Sequence, residues 1–210
     1  MKLTGESKFL LGIVVATVAL IGGAIFLFSR PATPPQTLSR EELVPLGSYT
    51  KGNASASAYL VEFSDFQCPA CKAYQPVVDE LVEKHKDRLF FVYRHFPLDK
   101  HRYAIAAAIT AEAAGQQGKF WEMYALLFEN QEKFSDSIWK DLAGELSLDE
   151  KQFDQSLGSN NLKEKILKDR DYGIAIGVNS TPTFFFNGRK LTNFSTFDEF
   201  RKMVENELSK

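Results

Sequence analysis

The sequence predicts an α/β domain made of a strand–helix–strand unit, a long helical insertion and a closing strand–strand–helix unit. Two apolar runs of strand length flank an amphipathic stretch within 58–98. The periodicity of 99–177 is helical, and a hairpin turn followed by a capped helix ends the chain. Because strand–helix–strand crossovers are right-handed, the first two strands should lie parallel in one sheet.

The N-terminal run 9–28, FLLGIVVATVALIGGAIFLF, contains 20 residues without a charge. As a helix it would be about 30 Å long, which matches the apolar thickness of a bilayer. A cleaved signal peptide is the alternative, but its apolar region usually covers about 7 to 15 residues and ends at a small-x-small site. This run ends in FLFSRP, so we predict an uncleaved transmembrane anchor.

The residues around this anchor predict its orientation. A short tail with Lys2 and Lys8 precedes it, and basic tails of this kind stay in the cytoplasm. This predicts a cytoplasmic tail at 1–8 and a single-pass protein of the cell membrane whose C-terminal domain is extracytoplasmic. The proline-rich segment 29–48 is predicted to be a semi-extended tether.

The strand–helix–strand unit begins with the apolar run 58–63. A helix should follow from Cys68, because Pro69 suits the first helical position and apolar residues then recur every three or four positions. Aromatic and β-branched residues alternate within 88–98, which predicts a second strand that Pro97 closes.

The insertion at about 99–177 combines an Ala-rich stretch with aromatic residues at helical spacing, which we interpret as core packing. Ser147 and Glu150 form a capping-box pattern for one short helix. A strand is then predicted at 183–186, with a type I′ turn at Asn187-Gly188 and a return strand.

The last helix is predicted at 197–208, because Thr196 and Glu199 form a second capping box just before an apolar stripe. The formal net charge of the chain is −2, which gives no indication of a nucleic-acid partner. A length of 210 residues suggests one domain with attachments.

The chain has only two cysteines, Cys68 and Cys71. Chance would give this spacing roughly once in a hundred sequences, so the pair calls for a chemical reason. A Cys-x-x-Cys pair serves either as a redox disulfide or as half of a tetrahedral metal site. A second ligand pair with metal-site spacing does not occur in the sequence, and we predict a redox pair without a metal.

The position of each sulfur predicts a different chemistry. A helix N-terminus stabilises a thiolate, so the pKa of Cys68 should lie below that of a free cysteine. Cys71 lies one turn further on the same helix face. Glu62 lies six residues before Cys68 in an apolar strand. It is either a buried acid that exchanges protons with Cys71 or, since strand side chains alternate, a residue that faces water.

Four segments, VEFSDFQCPAC, YRHFPL, AAGQQGKFWEMYALLF and GVNSTPTFFFNG, resemble the membrane-anchored DsbA-like thiol:disulfide oxidoreductases of bacteria. The resemblance covers roughly 49–210 and implies a thioredoxin fold for that domain. It further implies that the redox-active disulfide is the only redox group and that no separate cofactor is used.

The resemblance also implies roles for particular residues. Cys68 would be the accessible nucleophile, Cys71 the buried resolving cysteine and Glu62 the acid beneath them. Thr181-Pro182 would form a cis-proline loop, and the backbone of Thr181 would pair with an extended substrate. The three remaining candidates for acid–base chemistry are interpreted as structural or surface residues: His85, His95 and His101.

The implied function is to introduce disulfides into exported proteins that carry free thiols, with a quinone-linked membrane protein as recycling oxidase. We expect a monomer. Pro69-Ala70 replaces the Pro-His of the most oxidising members, which predicts a weaker oxidant. Two alternatives stay open: a disulfide reductase or isomerase of the same fold, and a redox-inert metal-binding or interaction module.

Overall fold

The computed structural model describes residues 5–28 and 37–209, except for the side chains of 6–8, 10 and 24–28. The chain divides into two compact units, 1–36 and 37–210. The first unit contains helix α1 (Gly5–Phe28). Counting described residues only, this structure contains no helix with the length and apolarity that a membrane crossing requires. The predicted anchor 9–28 lies within α1, where the side chains of 10 and 24–28 are not described, while the predicted tail 1–8 and tether 29–48 lie partly outside the described residues.

The second unit is built on a five-stranded sheet, whose elements are β1 (Tyr49–Gly52), β2 (Ala58–Ser64), α3 (Pro69–Lys84), β3 (Leu89–His95), β4 (Thr183–Phe186) and β5 (Arg189–Lys190). The strand order is β1-β3-β2-β4-β5. β2 and β3 are parallel and joined through α3, while β1 pairs antiparallel with β3 and β4 pairs antiparallel with β2. The predicted strand–helix–strand unit and its parallel pairing are confirmed.

Helices make up the predicted insertion and the C-terminus. They are α4 (Ala104–Gly115), α5 (Phe120–Glu129), a 3₁₀ turn (Gln131–Lys133), α6 (Ile138–Glu145), α7 (Glu150–Leu157), α8 (Asn160–Ala175) and α9 (Phe197–Leu208). Two apolar clusters lie on opposite faces of the sheet, and every residue of β2 and β3 is buried. Strands covered on both faces are usually near-continuous apolar runs, and β2 and β3 depart from this only at their buried polar residues, Glu62, Ser64, Arg94 and His95.

Most of the predicted helix caps and turns are confirmed. Thr196 and Glu199 form a capping box at α9, and Asn187 and Gly188 both have positive φ in the β4–β5 turn. The capping box predicted for Ser147 is wrong. α7 begins only at Glu150, so Asp149 takes the N-cap position and accepts a hydrogen bond from the Gln152 N–H.

The second unit begins at Thr37, so the predicted tether 29–48 extends too far toward the C-terminus. Its last part forms the short helix α2 (Arg40–Leu43), which Ser39 caps. Leu43 is fully buried, and the Leu38 N–H donates to the Gly188 carbonyl at 2.9 Å. The two leucines bury apolar surface here, which outweighs the proline-rich composition.

Strand β1 was not predicted. It has only four residues, and its register partner on β3 is distant in sequence, with Tyr49 opposite Tyr93. A short edge strand of this kind has little apolar pattern of its own, because its partner supplies most of its contacts.

Candidate active site

The two cysteines lie where the sequence predicts, at the N-terminus of α3. Cys68 is the N-cap residue, Pro69 is in the first turn, and both thiols are free. Only 6 % of Cys68 and none of Cys71 is exposed. Cys68 is therefore the more accessible sulfur, although the loops around it leave only a narrow opening.

A loop from the far end of the chain covers Cys68. The Thr181-Pro182 peptide bond is cis, as the resemblance implies. The sulfur of Cys68 lies 3.4 Å from the Thr181 carbonyl oxygen, to which its thiol can donate. Thr183 then enters β4, so this loop is anchored directly to the central sheet.

The thiol of Cys68 is acidified by its surroundings. A hydrogen bond from the Cys71 thiol is the largest cause and lowers the pKa of Cys68 to about 5, against the opposing effect of burial. The Thr181 side chain and the N–H groups of Ala70 and Cys71 lower this pKa further. These backbone donors are the unpaired N–H groups of a helix N-terminus. Cys68 is consequently a thiolate at neutral pH.

The thiol of Cys71 is shifted the other way. Burial, followed by its hydrogen bond to Cys68 and the nearby Glu62, raises the pKa of Cys71 well above its ordinary value. One sulfur is thus a stable thiolate and the other a stable thiol. This asymmetry suits a pair in which the first sulfur leaves easily and the second takes up a proton.

Glu62 lies in the middle of β2 and is 1 % exposed, so the alternative in which it faces water is wrong. Helices cover both faces of β2, which leaves neither face open to solvent. Burial raises the pKa of Glu62 to about 8. Its carboxyl group is therefore mostly protonated at pH 7 and can give a proton to a neighbouring base.

Two buried side chains that the sequence did not single out hold the loop before Cys68. Asp65 accepts hydrogen bonds from the Gln67 N–H at 2.7 Å, the Leu98 N–H at 2.8 Å and the His101 Nδ1 at 2.7 Å. Its place in a Ser-Asp turn was the one sequence signal for this role.

Gln131 is the second of these side chains, and it reaches the loop from the helical insertion. Its Nε2 donates to the carbonyls of Phe66 at 2.7 Å and Cys68 at 3.0 Å. A glutamine in a polar surface segment carries no sequence signal for such contacts, because they depend on how the insertion packs.

The three histidines each contact a carboxylate away from the thiols. His95 Nε2 lies 3.0 Å from Glu112, His85 Nε2 lies 3.5 Å from Glu205, and the third pair is His101 with Asp65. This agrees with their interpretation as structural residues. Across the part of the chain that the structure describes, three or more metal-ligating side chains do not come together at one point.

The sequence matches a protein-family model described as thioredoxin over residues 46–206. Among curated proteins, it is 35 % identical over 189 residues to Na(+)/H(+) antiporter NhaA 1 of Mycolicibacterium vanbaalenii, covering 85 % of this chain and 30 % of that protein. It is 38 % identical over 147 residues to Na(+)/H(+) antiporter NhaA 3 of Salinispora tropica, covering 70 % and 22 %. The chain thus spans less than a third of the length of these relatives.

Among solved structures, the chain is similar to alpha-DsbA1 of Wolbachia pipientis, with a TM-score of 0.72, 20 % identity and coverage of 82 % of this chain and 96 % of that one. It is also similar to oxidised BdbD of Bacillus subtilis, with a TM-score of 0.68, 22 % identity and coverage of 84 % and 98 %. These likenesses confirm the thioredoxin fold predicted for roughly 49–210, in which the helical insertion is α4 to α8.

Proposed function

This chain belongs to the thioredoxin family, and we propose that it is an extracytoplasmic thiol–disulfide oxidoreductase that introduces disulfides into exported proteins. The observation that carries the proposal is the opposite pKa shift of two thiols at one helix N-terminus, with the pKa of Cys68 lowered to about 5 and that of Cys71 raised. A structural disulfide would not need this difference.

The reaction begins with the Cys68–Cys71 disulfide. A substrate thiolate attacks the sulfur of Cys68, the sulfur–sulfur bond breaks, and its electron pair leaves with Cys71, which takes a proton. A second substrate thiolate then attacks the substrate sulfur of the mixed disulfide and displaces Cys68. The substrate loses two electrons, and the protein ends as a dithiol.

The lowered pKa of Cys68 supports net oxidation of substrates. Stabilising the thiolate stabilises the reduced protein, which makes its disulfide a stronger oxidant and Cys68 a better leaving group. Pro69-Ala70 supplies no imidazole for this purpose, so we place the chain below the strongest oxidants of this fold. Thr181 and Pro182 would hold an extended substrate beside the thiols by backbone pairing.

The location and the partners form part of the same proposal. The length of the uncharged run 9–28 suits a bilayer and supports a membrane anchor, and Lys2 and Lys8 support a cytoplasmic position for 1–8. Exported proteins with free thiols would be the substrates, and a quinone-linked membrane protein would reoxidise the dithiol. We propose a monomer that uses its disulfide without another cofactor.

A disulfide reductase is the second candidate, because the Pro69-Ala70 dipeptide omits the histidine of the most oxidising members. The reduction potential of the full-length protein in detergent, equilibrated with glutathione buffers, decides between the two. A value between roughly −120 and −180 mV supports the oxidase, and a value near about −270 mV would reverse the direction. The Cys71→Ser variant, which cannot form the disulfide, should show no transition.

A further inference from the structure

A group of buried oxygen atoms surrounds the acid beneath the thiols. Both carboxyl oxygens of Glu62 and the hydroxyls of Ser64, Tyr93 and Tyr124 make no hydrogen bond of ordinary geometry among the described residues, although the Ser64 hydroxyl is close enough to Glu62 and to Cys71 to favour the ionised form of each. Buried polar groups in folded proteins are nearly always hydrogen-bonded, to protein or to ordered water. Several such oxygens in one place indicate a polar pocket in which a buried water can bridge them.

The backbone brings these four side chains together. Glu62 lies opposite Tyr93 in the β2–β3 register, and Ser64 is two residues further along β2, so all three project from the same face of the sheet. The rings of Tyr93 and Tyr124 meet edge to face with centroids 5.4 Å apart. Tyr124 extends the group from β2 and β3 into α5.

Tyr124 also lies beside a partly exposed ion pair, Lys51 with Asp79. The ammonium nitrogen of Lys51 lies 5.3 Å from the centre of the Tyr124 ring and 2.6 Å from Asp79 Oδ1. The side chain of Lys51 is 28 % exposed and that of Asp79 is 31 % exposed. Burial raises the pKa of Tyr124, and the negative charges of Glu62 and Asp79 raise it further.

We propose that Tyr124, together with Tyr93 and a buried water, relays protons between Glu62 and the Lys51–Asp79 pair at the surface. The proposal rests on the proposed function. When Cys71 leaves the broken disulfide as a thiolate, Glu62 gives it a proton and becomes a carboxylate. The hydroxyl chain returns a proton to Glu62 while taking one from a solvent water beside Asp79, and the bulk solvent neutralises the hydroxide that remains, so each tyrosine ends neutral.

The relay meets a need that burial creates. Glu62 is 1 % exposed and Cys71 is fully buried, so neither can exchange protons with bulk water directly. The ionisable groups that act on Glu62 or on the two tyrosines are Asp65, Cys68, Cys71, Asp79 and Tyr124, with Glu62 acting on both tyrosines, Lys51 over the Tyr124 ring and His95 against the Tyr93 ring. Of these, Asp79 and Lys51 are the two with substantial solvent exposure.

Tyr124→Phe tests the relay, and Tyr172→Phe is its matched control. The Tyr172 hydroxyl is also buried without a partner in the described part of the chain, but its ring packs on Phe63, in the cluster on the other face of the sheet. The measurement is the rate at which dithiothreitol reduces the disulfide of the full-length protein in detergent, from pH 5 to 9, in H₂O and in D₂O.

We expect Tyr124→Phe to slow reduction by about tenfold or more near pH 7 and to change the solvent isotope effect, with an unaltered reduction potential. Tyr172→Phe should have the reduction rate, the solvent isotope effect and the reduction potential of the wild type. Asp79→Asn, which changes a surface group and leaves the core packing intact, should slow the same step.

Three results would overturn the relay. Tyr124→Phe and Asp79→Asn could match the wild type while Glu62→Gln slows reduction, which leaves the proposed function intact. Tyr93→Phe could slow reduction of the disulfide while Tyr124→Phe is reduced at the wild-type rate. Protons would then travel through the cavity that Tyr93 lines and not through Tyr124. A wild-type protein whose disulfide exchanges with no thiol would remove the relay and the proposed function together.

Discussion

The sulfur of Cys68 lies 3.4 Å from the carbonyl oxygen of Thr181, a residue 113 positions away. A carbonyl can accept a hydrogen bond from a thiol, but it repels a thiolate. This contact therefore disfavours ionisation of Cys68, whereas the hydrogen-bond donors around the sulfur lower its pKa. A Cys68 thiolate cannot donate to the Thr181 carbonyl, so under the proposed function this carbonyl would be free to accept an N–H from an extended substrate.

The reduced protein should react with iodoacetamide at Cys68 alone, with a rate that rises around a midpoint near pH 5, because the pKa of Cys68 is lowered to about 5. Mass spectrometry after alkylation at pH 4 to 9 measures this midpoint. Cys68→Ser should leave Cys71 unmodified at pH 7. A midpoint near the ordinary value of about 8.5 would contradict the acidification.

Replacing Cys71 should raise the pKa of Cys68, since the Cys71 thiol is the largest cause that lowers it. Cys71→Ala removes the donor, and we expect the alkylation midpoint to rise by about one unit or more. Cys71→Ser keeps a hydroxyl donor and should give an intermediate midpoint. Equal midpoints for both variants and the wild type would show that the Cys71 thiol does not lower the pKa of Cys68.

Glu62→Gln should change how stability depends on pH. The pKa of Glu62 is raised from 4.5 to about 8 in the folded protein, so the unfolded chain loses this proton first. The wild type therefore loses stability relative to Glu62→Gln as the pH rises from 4.5 to 8, by roughly 3 to 5 kcal/mol, and the difference is constant above pH 8.

Urea unfolding of the reduced proteins across this pH range measures the difference. The exposed Glu145→Gln variant controls for the loss of one carboxyl group. A stability difference between Glu62→Gln and the wild type that does not vary with pH would show that Glu62 is ionised as readily in the folded protein as in the unfolded chain.

Gln131→Ala should destabilise the domain and loosen the loop that carries the nucleophile. The substitution leaves the carbonyls of Phe66 and Cys68 without their donor, at a cost of about 2 to 4 kcal/mol in the free energy of unfolding. The matched control is Gln155→Ala, an exposed glutamine on α7. Faster hydrogen exchange confined to 65–68 would report the loosening, and unchanged exchange there would contradict it.

Asp169→Ala should release the segment before β1. The Asp169 carboxylate holds the buried Arg94 at 2.6 Å, and Arg94 donates to the carbonyls of Glu42 and Leu43. Leaving Arg94 unpaired should cost about 3 to 5 kcal/mol and expose α2 to limited proteolysis. The protease should cleave the exposed Asp171→Ala variant, on the same helix, no faster than the wild type. Equal resistance in both variants would mean that burial of Leu43 holds the segment unaided.

Local signals in the sequence predicted most of the second unit. Pro69 at a helix start, the Asn187-Gly188 turn and the Thr196–Glu199 capping box each act within a few residues, so their sequence is sufficient. Apolar periodicity predicted β2, β3 and the helical insertion for the same reason. Ser147 was misassigned because it has a positive φ of 53° and lies in the turn that closes α6, so the next helix starts only after Asp149.

The sequence by itself determined the redox pair, its place at a helix N-terminus and the presence of an acid six residues earlier. Only the tertiary structure decided that Glu62 is buried, that Gln131 and Asp65 hold the loop, and that residues 37–48 belong to the domain. The physical reason is that burial and long-range hydrogen bonds depend on which elements pack together. Residues such as Cys68 and Thr181, 113 positions apart, meet only in the folded chain.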